Sequence, residues 1–152
     1  MRVTLLAVGR LRPHVRAAAD DYLTRLARYV TVEEREVKEA SRAPTVEAGQ
    51  RDEHAALAAK VPPGSRLVAL DRSGKTWSSE ELARRLDDWR LTARPVTFVI
   101  GGSHGLAPAL VAKANDTWSL GVLTLPHELA RVVVLEQLYR GFTILRGEPY
   151  HK

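Results

Sequence analysis

Five consecutive residues, Val96-Thr97-Phe98-Val99-Ile100, constrain this chain more than any other segment. They are apolar or β-branched without a polar alternate, the pattern of a strand covered on both faces, and such strands belong to parallel sheets. Parallel neighbours need crossover connections, usually helices. The rest of the chain supplies them. Val3 to Val8 reads as a short strand ending at Gly9, and Val15, Ala18, Ala19, Tyr22, Leu23, Leu26 and Val30 recur at helical steps between Pro13 and Val30. Val32 to Val37 alternates as a half-exposed strand with a phase defect, and residues 39–46 read as a loop. A helix from Glu47 to Lys60 is stopped by Pro62-Pro63-Gly64, and Arg66 to Asp71 is the next strand. Ser78 and Glu81 have capping-box spacing, which starts a helix through Leu82, Leu86 and Trp89. After the buried strand come a helix from Pro108 to Asn115, a strand from Trp118 to Leu125 and a helix from His127 to Leu145. The expected fold is α/β, one domain over residues 1–152, with a mostly parallel sheet of about five strands flanked by helices.

Composition narrows the function classes. With 45% hydrophobic and 27% charged residues in 152, the chain can bury a real core. Cysteine is absent, which excludes disulfides, thiolate metal sites and a cysteine nucleophile. No apolar run approaches the ~18 residues of a membrane span, and Met1-Arg2-Val3-Thr4-Leu5-Leu6 has no signal-peptide pattern, so a cytoplasmic protein is expected. The net charge of +5 favours an anionic partner such as nucleic acid without naming it.

Chemistry concentrates in the last third. Gly101-Gly102-Ser103-His104-Gly105 follows a parallel strand, at the sheet edge where open α/β folds bind ligands. Taken alone it serves equally well as a strand-to-helix turn, and it lacks the Gly-x-Gly-x-x-Gly fingerprint. Ser73-Gly74-Lys75-Thr76 imitates the end of a phosphate-binding loop, but Ala69 stands where that motif needs glycine, so nucleotide hydrolysis is a poor reading. His14, His54, His104, His127 and His151 show no metal-ligand spacing, and no metal is expected. Arg10, Arg12 and Arg16 follow the first strand, on the edge shared with the glycine loop, while Arg131, Arg140, Arg146 and Lys152 lie on or after the last helix. Guanidinium groups bind phosphate bidentately; a solvated face is the alternative. The last helix is apolar nearly all round, with Arg131, Val134, Leu138, Phe142 and Leu145 opposite Leu129, Val132, Glu136, Tyr139 and Thr143. At the end of a small domain the second side is expected to face another subunit, so the pattern points to a homodimer, although a helix sandwiched within one domain would read the same way.

Together, Ile100-Gly101-Gly102-x-x-Gly105-Leu106, Trp118-Ser119-Leu120, Leu123-Thr124-Leu125-Pro126-His127, Arg131, Glu136-x-Leu138-Tyr139-Arg140 and Pro149-Tyr150-His151-Lys152 resemble the RlmH (YbeA-type) family of SPOUT methyltransferases, the ribosomal large subunit RNA methyltransferase H group. The resemblance extends to Val3–Gly9 and to Leu70-Asp71 with Gly74-Lys75. It implies a C-terminal trefoil knot, which pattern alone would not suggest, and a homodimer. It also implies S-adenosylmethionine as methyl donor and 23S rRNA of the assembled ribosome as substrate. The expected product is a pseudouridine methylated at N-3, in the stem-loop near the decoding centre. A non-catalytic ribosome-binding factor of the same fold and a nucleotide-binding enzyme of unrelated chemistry are the competing classes.

Carried onto this sequence, the resemblance places the cofactor at Leu70, Asp71 and Gly102 and along Gly121, Val122, Leu123, Thr124, Leu125 and Pro126. Arg10, Arg12, Arg131 and Lys152 are the expected RNA contacts. Methyl transfer requires the N-3 proton to leave, either to a base or because positive charge favours the anion. His127, Glu136, Arg140, Tyr150 and His151 are the catalytic candidates, with Tyr150 and His151 closing over the base. Whether His151 takes the proton or stacks stays open.

Overall fold

The computed structural model describes residues 1–151, so Lys152 and its expected RNA contact lie outside the described residues. The elements follow in the order β1 (Arg2–Val8), α1 (Pro13–Leu26), β2 (Thr31–Val37), α2 (Val46–Lys60), β3 (Arg66–Thr76), α3 (Ser79–Arg90), β4 (Val96–Ile100), α4 (Pro108–Lys113), β5 (Asp116–Ser119) and α5 (His127–Leu145). A 3-10 turn at Pro149–His151 closes the described chain. All five strands are parallel, in the order β2-β1-β4-β3-β5.

Side-chain alternation along the central strands sets the layers. Val3, Leu5 and Ala7 of β1 and Val96, Phe98 and Ile100 of β4 join the core shared with Leu26 of α1, Leu82 and Leu86 of α3, and Val134, Leu138 and Phe142 of α5. Leu6 and Val8 of β1 and Val99 of β4 face the opposite way, into a smaller core with Leu57 of α2 and Leu110 of α4. Every residue of β4 is buried, as its continuous apolar run requires. Edge strand β2 is only half-buried, which accounts for its charged alternation. The capping box at Ser78 forms in full: Ser78 Oγ accepts from the Glu81 amide, and Glu81 accepts from the Ser78 amide.

α1 ends at Leu26, short of the expected Val30, and β5 begins at Asp116, ahead of the expected Trp118. Three further boundaries differ because pairing overrides local pattern. β5 ends at Ser119, where its last partner on β3 is Thr76. Leu120–Leu125 is therefore a loop, not strand, and its apolar side chains include Val122 and Leu123, 92% and 76% exposed. β3 outlasts Asp71 because its ladder with β5 resumes after a bulge, with both Leu70 and Lys75 paired to Trp118. α4 stops at Lys113, since the Asn115 amide and side chain bond to the backbone of Leu67.

α5 lies between α1 and α3 on the first face of the sheet. Tyr139 packs against Tyr22 of α1, with ring centroids 6.3 Å apart. On the other flank Gly141 admits α3, for a Cβ there would come within 2.7 Å of Leu86 Cδ1. Both apolar sides of the helix are thus largely filled within one chain, and the all-round apolarity needs no second subunit to explain it. Gly74 settles the phosphate-loop likeness. It sits in β3 so close to β5 that a Cβ would stand 2.5 Å from the Thr117 carbonyl carbon. This glycine serves strand approach, not phosphate. We expect Gly74→Ala to destabilise the fold by about 1–3 kcal/mol through overpacking, measured as a lowered urea midpoint.

Candidate functional site

Because the sheet is parallel, the carboxyl ends of β3, β4 and β5 open on one edge, where a cavity of about 780 Å³ lies. Its walls come from Leu70–Arg72 at the bulge within β3, Ile100 at the end of β4 with the Gly101–Gly105 loop, and Trp118 of β5 with the loop through Pro126, with His127 and Ala130 at the start of α5. Leu70, Ile100, Trp118, Leu123 and Leu125 make it chiefly apolar. Asp71, Arg72, Ser103, His104, Thr124 and His127 are the polar residues of its lining, among the peptide groups of the loops.

The glycine loop is tightly folded. Gly102 and Gly105 form an isolated bridge, and a Cβ on Gly101 would fall 2.5 Å from the Gly105 carbonyl carbon. Residues from the β2–α2 region brace it: Ser103 Oγ donates to Glu39 (2.9 Å), and Gln50 Nε2 donates to the His104 carbonyl (2.8 Å). Residues 39–60 carried no functional signal in the sequence, because these contacts span more than fifty positions. At the bulge of β3, Asp71 accepts from the Ser73 amide at 3.0 Å and from its hydroxyl at 2.5 Å.

Of the expected cofactor residues, Leu70, Asp71, Gly102, Gly121, Leu123, Thr124, Leu125 and Pro126 line this cavity; Val122 does not. Arg72 lines it too, and was missed because the bulge that brings it to the cavity, between Leu70 and Lys75 of β3, has no signature in the local pattern. His127 and His104 also reach the wall.

A buried ion network lies beneath the first strand-to-helix loop. Arg131 is 1% exposed; its Nε donates to Glu34 (3.0 Å), Nη1 to the Gly9 carbonyl (3.1 Å), and Nη2 to Glu36. Arg16 joins through Glu34 at 2.6 Å. Burial works against a charged Glu34, but Arg16 and Arg131 outweigh it and hold its carboxyl below the ordinary value. Arg131 is therefore not an RNA contact: its guanidinium is sealed against protein carboxylates and fixes α5 to β1 and β2. Arg12 keeps an exposed side chain and is steadied by Glu128, which accepts from its amide at 2.6 Å and from Nε at 2.8 Å. Those bonds, the amide first, hold Glu128 below the usual carboxylate range. Arg10 is exposed and makes no ion pair among the described residues.

Glu136, Arg140 and Tyr150 form a second cluster. Glu136 Oε1 accepts from Arg140 Nε (2.9 Å) and Nη2 (2.6 Å) and from the Tyr150 hydroxyl (3.1 Å), while Oε2 accepts from Gln137 (2.7 Å). A carboxylate so occupied has little capacity left to take a proton. Burial, with Tyr22 and Glu136 beside it, pushes the Tyr150 hydroxyl up, so Tyr150 is a donor here and not a phenolate base. The bond to Glu136 keeps Arg140 charged. Neither the His127 nor the His151 ring makes a hydrogen bond among the described residues. The two groups of candidates are separate within one chain: from His127 to Arg140 along α5 the rise is about 20 Å. The tail folds back on α5 instead of covering its own cavity, with Tyr150 and Tyr139 centroids 4.6 Å apart.

A family model described as "Predicted SPOUT methyltransferase" matches residues 1–151. Fold and family match together define the class: a SPOUT methyltransferase. The chain is 44% identical over 155 residues to the ribosomal RNA large subunit methyltransferase H of Pseudomonas aeruginosa, covering 100% of both. Identity and coverage are the same for the protein of that name from Pseudomonas putida. The chain belongs to this RlmH family of SPOUT methyltransferases. Among solved structures, a probable methyltransferase of Bordetella pertussis is similar at TM-score 0.56 and 19% identity, over 92% of this chain and 95% of that one. A tRNA methyltransferase of Aquifex aeolicus matches at TM-score 0.56 and 12% identity, over 92% and 69%. At such identities the likeness concerns the fold alone.

The ion network yields a test. Arg131→Ala leaves Glu34 and Glu36 without their buried partner and is expected to cost about 3–5 kcal/mol of unfolding free energy. A carboxyl depressed by folding stabilises above its unfolded value and loses that contribution as pH falls through the folded one. The urea midpoint should therefore fall on acidification below about pH 4, and less steeply in Glu34→Gln.

Proposed function

We propose that this chain is an S-adenosylmethionine-dependent methyltransferase acting on N-3 of a pseudouridine in 23S rRNA, in the stem-loop near the decoding centre of the assembled ribosome. The observation that carries this reading is the cavity walled by the Gly101–Gly105 and Leu120–Pro126 loops at the carboxyl edge of the sheet. Full-length identity to proteins named ribosomal RNA large subunit methyltransferase H supports the substrate class. A cytoplasmic location follows from that substrate. No helix among the described residues is long and apolar enough to cross a membrane.

The cavity suits the cofactor in size and chemistry: its volume lies within the range of small-molecule sites. When bound, S-adenosylmethionine supplies an electrophilic methyl group on a sulfonium sulfur. Leu70, Asp71 and Gly102 would hold it with the Gly121–Pro126 segment, peptide groups meeting the adenine edge and Leu123 and Leu125 forming walls. A cation needs no basic neighbour, so the exposed guanidiniums of Arg10 and Arg12 are left for RNA phosphate.

Placing the tail near the reaction needs a second copy. In a homodimer the Glu136–Arg140–Tyr150 cluster of one protomer completes the cavity of the other. The exposed apolar side chains of Val122, Leu123 and Leu129 near the cavity support such an interface. The trefoil knot implied by the family belongs to the same proposal: after β5 the chain turns back at Leu120–Pro126, and α5 passes between α1 and α3. With Glu136 occupied and Tyr150 protonated, the N-3 proton leaves to His127 or His151, and Arg140 stabilises the developing anion.

The test is transfer of tritiated methyl to ribosomes, free subunits and naked rRNA, with the product nucleoside identified. The expected outcome is N-3-methylpseudouridine on ribosomes. Truncation after Pro149 should lower transfer at least about a hundredfold and leave cofactor affinity unchanged by calorimetry. An active truncated enzyme contradicts the role of the tail. No cofactor binding at millimolar ligand favours a non-catalytic ribosome-binding factor.

A further inference from the structure

The tail that carries Tyr150 and His151 is held by more than its own residues. α5 ends in a Schellman turn: the Gly147 amide donates to the Ile144 carbonyl (3.0 Å), the Glu148 amide donates to Thr143 (2.9 Å), and Gly147 takes a φ of +66°. That reversal aims Glu148 at Tyr29, which follows α1 at the far end of the domain from the cavity. The Tyr29 hydroxyl donates to Glu148 Oε2 at 2.7 Å. Its ring stacks on Phe142 with centroids 5.8 Å apart and an interplanar angle of 13°, and the Arg146 guanidinium lies 5.1 Å from its centre. Tyr29 also packs against Tyr139, at 6.0 Å, the ring on which Tyr150 rests.

We infer that Tyr29 is a positioning residue for methyl transfer: through Glu148 it fixes the direction in which the chain leaves α5, and so where Tyr150 and His151 stand. This rests on the proposed function, in which the tail completes a site on a second copy. The contact suits the task. Burial, then Glu148, pushes the Tyr29 hydroxyl up to about 12, so it remains a donor across the working pH range. The stacked ring holds that hydroxyl in place without help from the tail. Misplacing a reacting group by an ångström is enough to slow catalysis strongly. The bond of Tyr150 to Glu136 holds the tail at its far end only, and the Tyr29–Glu148 contact adds a second hold where the chain leaves α5.

The experiment compares wild type, Tyr29→Phe, Glu148→Ala and Glu148→Gln. Three readouts are taken: kcat and KM for ribosome methylation, calorimetric S-adenosylmethionine affinity, and amide hydrogen exchange of residues 147–151. Tyr29→Phe keeps the stacked ring, and Glu148→Ala alters only the tail, so neither depends on repacking the core. Both are expected to lower kcat about tenfold or more, with cofactor affinity unchanged and tail exchange faster. Glu148→Gln retains a carbonyl acceptor and should remain within about twofold of wild type. Wild-type kcat and wild-type tail exchange in Tyr29→Phe and Glu148→Ala would overturn the inference. A wild-type protein that methylates no ribosomal substrate would overturn the functional reading beneath it instead.

Discussion

Arg131 is the interaction on which the working parts of this molecule depend. Its guanidinium is buried where β1 ends, bonded to the Gly9 carbonyl and to two carboxylates of β2. Desolvating an arginine is unfavourable unless its donors are matched, and this geometry matches them along three directions. The result is a fixed origin for α5. Upstream on that helix, Glu128 grips the loop of Arg12 and His127 reaches the cavity; downstream, Glu136 and Arg140 organise the tail. One residue thus ties the cavity edge, the exposed arginines and the C-terminal cluster to the same rigid element.

Much of this was legible in the sequence, for reasons specific to each element. β4 could be read because a continuously apolar, β-branched run admits few alternatives to a central parallel strand. α5 was read at its true limits because a proline precedes it and its periodicity is unbroken. The loop after β5 was misread because apolar residues that wall a cavity carry the same pattern as residues that pack a sheet. Arg131 was misplaced for a related reason: sequence shows a positive charge but not the carboxylates of β2 folded against it. The phosphate-loop likeness at Gly74 could be set aside from the sequence, where Ala69 breaks the motif, but the close approach of β5 that requires the glycine could not be read there. Long-range braces such as Glu39 to Ser103 leave no local signature.

The site's organisation follows from an asymmetry along α5. Its first turn faces a pocket built from loops and strand ends; its second half carries a saturated carboxylate and a charged arginine, against which the tail lays a protonated tyrosine. One end is suited to hold a small apolar-edged molecule, the other to steady a developing anion. A single chain keeps these ends about 20 Å apart. Two copies with their α5 helices opposed would bring each end to the other's complement, and a two-fold axis produces both sites at once.

The proposed sharing between copies is tested most directly by mixing two inactive proteins. One carries a disrupted cavity loop, Gly101→Val; the other ends after Pro149. Composite sites predict that dimers of one copy of each regain one intact site, and an equal mixture should recover about a quarter of wild-type methyl transfer. A mixture as inactive as its parents, with mixed dimers shown to form, would contradict the account.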